Sequence, residues 1–194
     1  HLGNGSSMCA VNGGKSVDTS MGMTPLEGVL MGTRSGNVDP ASLQFIMNHD
    51  NIDINKMLDI LNKESGLLGL SGLSSDMRDV EKAAEEGHHD AQVALDVLNN
   101  SIKKYIGAYA AAMGGLDVVV FTAGIGENMP KLRREVMANM EFLGAKIDLE
   151  KNEVRGKIRD IATDDSRVRI LVIPTNEELV IARDTLEIVD RTAS

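Results

Sequence analysis

The order of apolar and polar positions along the chain predicts alternating strands and helices. Four apolar residues at 118–121 form an uninterrupted run, which suits a strand covered on both faces, as in a parallel sheet. A second stretch, at 168–173, is apolar except for Arg169 and predicts another strand. Between residues 90 and 113, apolar residues recur at three- and four-residue spacing, which predicts the longest helix of the chain. These features together indicate the α/β class.

Shorter patterns complete the predicted elements. The opening part predicts a hairpin of two strands, 8–11 and 15–19, joined by a turn at Asn12-Gly13. In the helix predicted at 54–62, Leu58 is expected to face inward. The charged segment 150–159 is expected to be a solvated connection. Further helices are predicted to start at Asp39-Pro40 and to span 54–62, 76–86, 130–140 and 176–189, with an apolar connector at 67–72.

Composition restricts the classes of protein to which the chain can belong. A length of 194 residues suffices for one domain with its own core, and 42% hydrophobic with 25% charged residues is typical of a soluble globular protein. The net charge of -9 argues against a general nucleic-acid or membrane-surface binder. Cys9 is the only cysteine, which rules out an internal disulfide and suits a reducing compartment, and we expect a cytoplasmic protein.

The first residues form a loop rich in glycine. His1-Leu2-Gly3-Asn4-Gly5 is followed by two serines, and the backbone N–H groups of such a loop can cradle phosphate oxygens. A loop of this kind normally follows a strand, and the sequence starts without one. We therefore expect this chain to be a piece of a longer protein.

A second glycine turn follows the predicted central strand. Gly124-Ile125-Gly126-Glu127-Asn128 combines two glycines, which let a ligand approach the backbone, with a predicted helix behind them that favours anions. A dinucleotide-binding fingerprint would carry a third glycine where Met129 stands. By itself, this turn fits a plain strand-to-helix connection as well as it fits a ligand loop.

Several polar residues are ambiguous from local pattern alone. Arg34 lies between small residues in a loop, where it can reach an anionic substrate or remain a solvated surface charge. Asp76 and Arg78 begin a helix, where the first can simply interact with the helix dipole and the second can be solvated. Glu177 follows a strand at the start of the last helix, so it suits either the dipole or a metal ion.

Five segments taken in order resemble the acetokinase family, whose members are acetate kinases and their butyrate and propionate kinase relatives. The second segment is most similar to the acetate kinases. Each segment is a weak signal alone, whereas the ordered set covers essentially the whole chain and is specific. The segments are 1–7, 31–40, 71–78, 121–128 and 174–178.

This resemblance implies an architecture. The family belongs to the acetate and sugar kinase superfamily, with two actin-like or ribonuclease H-like α/β domains, each a mixed sheet flanked by helices, and a nucleotide cleft between them. Residues 1–194 are similar to the C-terminal nucleotide-binding domain of such a kinase, with 190–194 expected as a disordered tail. The chain's own N-terminal domain is then absent, and the intact protein is expected to be a homodimer.

The resemblance also implies chemistry, namely reversible phosphoryl transfer from ATP to acetate with Mg²⁺, giving acetyl phosphate and ADP. Arg34 corresponds to the arginine that stabilises the transferring phosphoryl group, and Glu177 to the magnesium ligand. Such transfer depends mainly on positioning and charge neutralisation. The implied nucleotide-binding residues are His1, Leu2, Gly3, Asn4 and Gly5 for the phosphates, and Asp76, Met77, Arg78, Gly124, Ile125, Gly126, Glu127 and Asn128 for the adenosine.

Three interpretations of function remain open from the sequence. The first is acetate kinase, with this piece inactive alone and weak in nucleotide binding because the acetate pocket belongs to the missing half. The second is propionate or butyrate kinase. The third is a non-catalytic nucleotide-binding module of actin-like fold, for which Arg34 would be unnecessary.

Overall fold

The computed structural model describes residues 1–192, which form helices and two small sheets. The strands are β1 (Cys9–Asn12), β2 (Lys15–Thr19), β3 (Val118–Phe121), β4 (Arg159–Asp160) and β5 (Arg169–Val172). The helices are α1 (Pro40–Asp50), α2 (Ile54–Lys63), α3 (Gly66–Ser71), α4 (Met77–Glu85), α5 (His89–Ala112), α6 (Ala123–Asn128), α7 (Pro130–Met137) and α8 (Glu177–Thr192). Short 3₁₀ helices lie at Glu141–Leu143 and Lys151–Glu153.

The larger sheet is mixed, as the resemblance to the acetokinase family implied. Its strand order is β3-β5-β4, with β3 parallel to β5 and β4 antiparallel to β5. The other sheet is the predicted hairpin of β1 and β2. The two loop residues of the hairpin are Gly13 and Gly14, one position later than predicted, and both have positive φ, at 57° and 77°. Two residues in that conformation match the twist of paired strands, and glycine adopts it without steric cost.

The long helix α5 organises the core. It packs against α3, α4 and α7. Its buried face includes Ala91 and Ala94, both 0% exposed, whose small side chains allow the neighbouring helices to approach closely. Ile102 of α5 and Ile170 of β5 belong to the same apolar cluster. The core therefore lies where α5 and α7 meet the larger sheet.

The expectation that β3 is covered on both faces is wrong for the residues described. Val119 and Phe121 are buried, whereas Val118 and Val120 are 39% and 46% exposed. Within residues 1–192, β3 pairs only with β5, and its other side borders an open groove of about 870 Å³ that extends to β1. The strand is apolar on both faces although only one of them packs on the core.

Two further expectations differ from the structure. Leu58 is 42% exposed, while Met57 and Leu61 of the same helix are buried, so the buried side of α2 is narrower than predicted. The connector predicted at 67–72 is largely helical: α3 begins at Gly66, whose φ of 64° is one that glycine adopts without steric cost.

The ends of the last two helices also depart from prediction. Helix α7 stops at Met137, and Asn139 follows it with a φ of 64°. Helix α8 runs to Thr192, so residues 190–192 are helical rather than part of a tail, and residues 193–194 lie outside those described. In the part of the chain that the structure covers, no helix has the length and apolar character needed to cross a membrane.

Candidate functional site

The turn after β3 places glycines inside a helix rather than in a loop. Thr122 precedes α6, so Gly124 and Gly126 belong to its six residues. Ala123 has a φ of 66°, a left-handed conformation that costs an L-residue about 1–2 kcal/mol. The backbone N–H of Ala123 donates to Thr175 Oγ1 at 3.1 Å, which helps to hold this strained residue. Strain of this kind is typical of functional turns.

The first loop docks directly onto α6. Leu2 N donates to Thr122 O at 2.9 Å, while Ile125 N and Gly126 N donate to Leu2 O at 2.8 and 3.1 Å. Leu2 is buried, and a Cβ on Gly126 would lie 3.7 Å from the Leu2 Cβ. The two glycine-containing segments singled out from the sequence therefore form one hydrogen-bonded unit.

The segment that carries Arg34 touches the same loop. Gly32 N donates to Asn4 O at 3.0 Å. A Cβ on Gly5 would lie 3.6 Å from Arg34 Nη1, so the guanidinium is beside the loop. Arg34 Nη1 also donates to Pro25 O at 3.3 Å. Arg34 is thus next to the predicted phosphate loop.

The start of α4 presents a paired aspartate and arginine. The Asp76 carboxylate caps the helix by accepting from Arg78 N at 2.9 Å and also accepts from Arg78 Nε at 3.0 Å. These bonds from Arg78 lower the pKa of Asp76 to about 2. Asp76 is therefore ionised near neutral pH, and its structural role as a cap does not exclude a ligand, because both side chains remain partly exposed.

These elements enclose a cleft of about 960 Å³. The predicted residues that line it are Gly3, Asn4, Asp76, Met77, Arg78, Gly124, Ile125 and Asn128. Other predicted residues do not line it: Leu2 and Gly126 are buried beneath it, and His1 lines the groove beside β3. Gly5, Arg34, Glu127 and Glu177 also lie outside its lining. The structure thus brings together the segments, but only part of each segment faces the cleft.

Charged residues that the sequence did not single out complete the cleft. Glu81 and Glu85 lie three and seven residues after the predicted Arg78, so helical periodicity could have placed them on the same face of α4. Burial raises the pKa of Glu81. Lys131 donates to Glu85 at 3.2 Å. The remaining lining residues are Ser75, Met129, Pro130, Arg134, Glu153 and Arg155, the last two from the segment expected to be a solvated connection.

The end of β5 meets α6 through Thr175 and Glu127. Glu127 Oε1 accepts from Thr175 N at 2.9 Å, so this carboxylate links the segment after β5 to α6. Glu177, two residues after Thr175, is exposed at the start of α8, and its carboxylate makes no hydrogen bond or ion pair with other residues in 1–192.

Among residues 1–192, Glu177 lies near too few potential ligands to form a metal site from protein side chains alone. Within the described residues, no three His, Cys, Asp or Glu side chains cluster in a way that could hold a metal ion. Mg²⁺ commonly binds through one or two carboxylates and completes its coordination with water and substrate phosphates. A single unpaired carboxylate therefore fits Mg²⁺ brought with a nucleotide, and it does not fit an all-protein metal cage.

Comparison with known proteins gives a consistent result. Residues 1–183 match the model of the Acetokinase family. Acetate kinase of Acetivibrio thermocellus is 61% identical over 189 residues, which cover 97% of this chain and 47% of that protein. The crystal structure of Porphyromonas gingivalis acetate kinase superposes with a TM-score of 0.94 at 48% identity, covering 97% of this chain and 48% of that one.

A propionate kinase is also similar. The structure from Francisella tularensis superposes with a TM-score of 0.87 at 42% identity, over 94% of this chain and 46% of that one. The chain spans about half the length of the curated relatives it matches. Since the family model covers nearly all of the residues and the solved relatives share the fold, this chain belongs to the acetokinase family.

Proposed function

We propose that this chain is the C-terminal, nucleotide-binding half of an acetate kinase that transfers a phosphoryl group reversibly between ATP and acetate. The observation that carries the proposal is the cleft, in which the first loop, the start of α4 and α6 converge. Three segments that are distant in sequence supply backbone donors, a carboxylate and a cation to one space. Such convergent polar groups in a large cleft are characteristic of a ligand site.

In this proposal, each segment has a role that its chemistry suits. The backbone N–H groups of Asn4 and Gly5, which make no hydrogen bond within residues 1–192, bind phosphate oxygens. Asp76 offers a carboxylate to the nucleoside hydroxyls, and Arg78 offers a planar cation beside it. Gly124 and Ile125 form the wall against which the base rests. The exposed atoms of Asp76 and Arg78 therefore contact the nucleotide.

Arg34 and Glu177 serve the phosphoryl transfer itself. Arg34 lies beside the phosphate loop, where its guanidinium stabilises negative charge on the transferring group. Glu177 would hold Mg²⁺, which supplies charge neutralisation on the phosphates when it is bound. Neither residue needs to line the adenosine part of the cleft, and neither does.

The acyl acceptor lies beyond this half. The chain alone therefore does not form acetyl phosphate. The complete enzyme works as a homodimer in the cytoplasm. The similarity to a propionate kinase at 42% identity supports propionate as the second candidate acceptor. Acetate is preferred because the curated relatives at 61% and 58% identity are acetate kinases.

The test uses the longer protein that contains this chain, assayed with acetate and with propionate. Arg34→Ala is expected to lower turnover by about 100-fold or more with ADP affinity within about twofold, because the arginine acts on the transition state. Arg159→Ala, an exposed arginine on β4 away from the cleft, is the matched control and should leave both unchanged. Unchanged turnover in Arg34→Ala, or no ADP binding by the unaltered protein, would overturn the proposal.

A further inference from the structure

Arg133 on α7 is buried completely, with 0% of its surface exposed. Its guanidinium has five N–H donors, and all five are used. Nε donates to Asn152 Oδ1 at 2.9 Å, and Nη1 donates to Gly126 O at 2.8 Å and Glu127 O at 2.9 Å. Nη2 donates to Asn152 O at 2.6 Å and Val154 O at 2.7 Å. None of these acceptors is a carboxylate.

Burying a cation without an anionic partner is costly, so such an arrangement persists only where the hydrogen bonds compensate. Burial lowers the pKa of Arg133 to about 10, which still leaves the group charged near neutral pH. The acceptors are oxygens already fixed in backbone segments, apart from the Asn152 side chain. Asn152 is itself 1% exposed and donates from Nδ2 to Pro130 O at 2.8 Å. The Arg133 side chain thus joins three segments, namely α7, α6 and residues 152–154.

One of these segments is α6, which has six residues and cannot be stable in isolation. The last carbonyls of a helix lack partners within that helix. Gly126 O and Glu127 O lie in its final three residues, and Arg133 satisfies both. A side chain from the following helix therefore caps α6 at its C-terminal end.

Both segments that accept hydrogen bonds from Arg133 also contribute residues to the cleft lining. Gly124, Ile125 and Asn128 line the cleft from α6. Glu153 and Arg155 line it from the segment that also contains Asn152 and Val154. Arg133 does not line the cleft, so any effect on a ligand must pass through these residues.

We propose that Arg133 is a positioning residue that fixes α6 and the 152–155 segment relative to each other and so forms the nucleotide cleft. This inference rests on the proposed function, because it names a residue that shapes the same cleft. Lysine at this position would keep the charge, but it offers three donors instead of five and lacks the planar fork.

The experiment compares Arg133→Lys with Arg169→Lys in the longer protein that contains this chain. Arg169 is a matched control because it also bonds carbonyls, those of Thr163 and Ser166, and pairs with Asp160 away from the cleft. Three quantities are measured: the Kd for Mg-ADP, the amide exchange rates of residues 124–128, and the unfolding midpoint in urea. Asn152→Ala is a milder variant, which loses one acceptor of Arg133 and keeps the guanidinium.

In Arg133→Lys, the Kd for Mg-ADP is expected to rise about tenfold, and exchange at 124–128 to accelerate about tenfold, while exchange in β3 stays unchanged. Asn152→Ala should act in the same direction by about threefold. Arg169→Lys should lower the urea midpoint without changing the Kd. A lysine variant with unchanged Kd and unchanged local exchange would overturn the positioning role, as would an equal rise in Kd in Arg169→Lys.

Asp76→Ala separates this inference from the proposed function. If Asp76→Ala weakens Mg-ADP binding and the Arg133 and Asn152 variants do not, the positioning role fails while the nucleotide site stands. If the unaltered longer protein shows no Mg-ADP binding at millimolar concentration, both fail, because a cleft without a nucleotide has nothing for Arg133 to position.

Discussion

The hydroxyl oxygens of Thr122 and Thr175 lie 2.7 Å apart, within hydrogen-bond distance. Thr122 follows β3 and Thr175 follows β5, so this contact joins the carboxyl ends of two parallel strands. Thr175 Oγ1 also accepts from Ala123 N, and Thr175 N donates to Glu127. Ligands of open parallel sheets bind beyond this edge, and the contact therefore fixes the part of the sheet from which α6 and Glu177 extend.

Replacing Thr175 with valine tests this junction. Thr175→Val keeps the shape of the side chain but removes the hydroxyl, so Ala123 N loses its acceptor and Thr122 its partner. We expect a loss of about 1 kcal/mol in the free energy of unfolding and weaker Mg-ADP binding. Urea unfolding and calorimetric titration measure the two effects. Thr185→Val on exposed α8 is the control, since its hydroxyl bonds only within its own helix, to Ile181 O. Identical behaviour of the two variants would argue against the junction.

Ala123 offers a prediction of opposite sign. Its φ of 66° is strained for alanine and unstrained for glycine, so Ala123→Gly should raise the free energy of unfolding by up to about 1 kcal/mol. The same change at Ala108, an exposed residue before the last turn of α5, should lower it by about 1 kcal/mol because glycine is a poor helix former. Urea denaturation of both variants gives the comparison. If both variants lose stability to the same extent, the strain assigned to Ala123 is not real.

Sequence patterns predicted the strands, helices and caps whose formation depends mainly on residues close together in the sequence. The hairpin, α5 and β3 follow from turn residues and from apolar periodicity, and the N-cap at Asp76 follows from its side-chain chemistry. These features need only the neighbours in sequence. The ordered motifs also identified the three segments that meet in the cleft, although periodicity alone did not show that they would meet.

Features that depend on distant partners were not predictable in this way. Arg133 has an ordinary place in a helical pattern, and its burial becomes evident only when residues 126–127 and 152–154 supply its acceptors. Asn152 sits in a charged stretch that resembles a solvated connection. The exposed side of β3 is another case, because an apolar run reports what a strand can pack against and not which neighbours are present.

The Asp76–Arg78 pair predicts a pH dependence of stability. The pKa of Asp76 falls from 3.8 to about 2 in the folded chain, so the folded state binds this proton less readily than the unfolded state. The stabilisation is therefore complete above about pH 4 and is lost as the pH falls through about 2. Asp76→Asn retains an N-cap but not the charge, so the stability gap between parent and variant should narrow between about pH 6 and pH 3.

Urea unfolding at several pH values measures that gap. Asp53→Asn is the matched control, because Asp53 caps α2 through Lys56 N and forms no ion pair with other residues in 1–192. A narrowing of the same size in both variants would contradict the role given to Arg78. Moderate salt is expected to reduce the gap for Asp76, since the pair is exposed to solvent.

Substitutions at Gly124 and Gly32 distinguish an effect on ligand binding from an effect on folding stability. A Cβ on Gly124 meets nothing within 4 Å, and the residue lines the cleft, so Gly124→Ala should leave stability unchanged or slightly higher and weaken Mg-ADP binding. A Cβ on Gly32 would lie 1.9 Å from Asn4 Oδ1 and 3.0 Å from Ser75 O. Gly32→Ala must therefore move the Asn4 side chain and crowd the Ser75 carbonyl, and we expect a loss of about 1–3 kcal/mol together with weaker binding.

The comparison of these two variants is decisive because both change a single hydrogen to a methyl group. If Gly124→Ala binds Mg-ADP like the parent, no ligand approaches α6 closely, and the adenosine assignment of Gly124 and Ile125 fails. If Gly32→Ala keeps its stability, Asn4 turns aside without cost, and the contact between Gly32 and the first loop is not what holds that loop in place. Parallel titrations and urea curves on the same preparations distinguish these results.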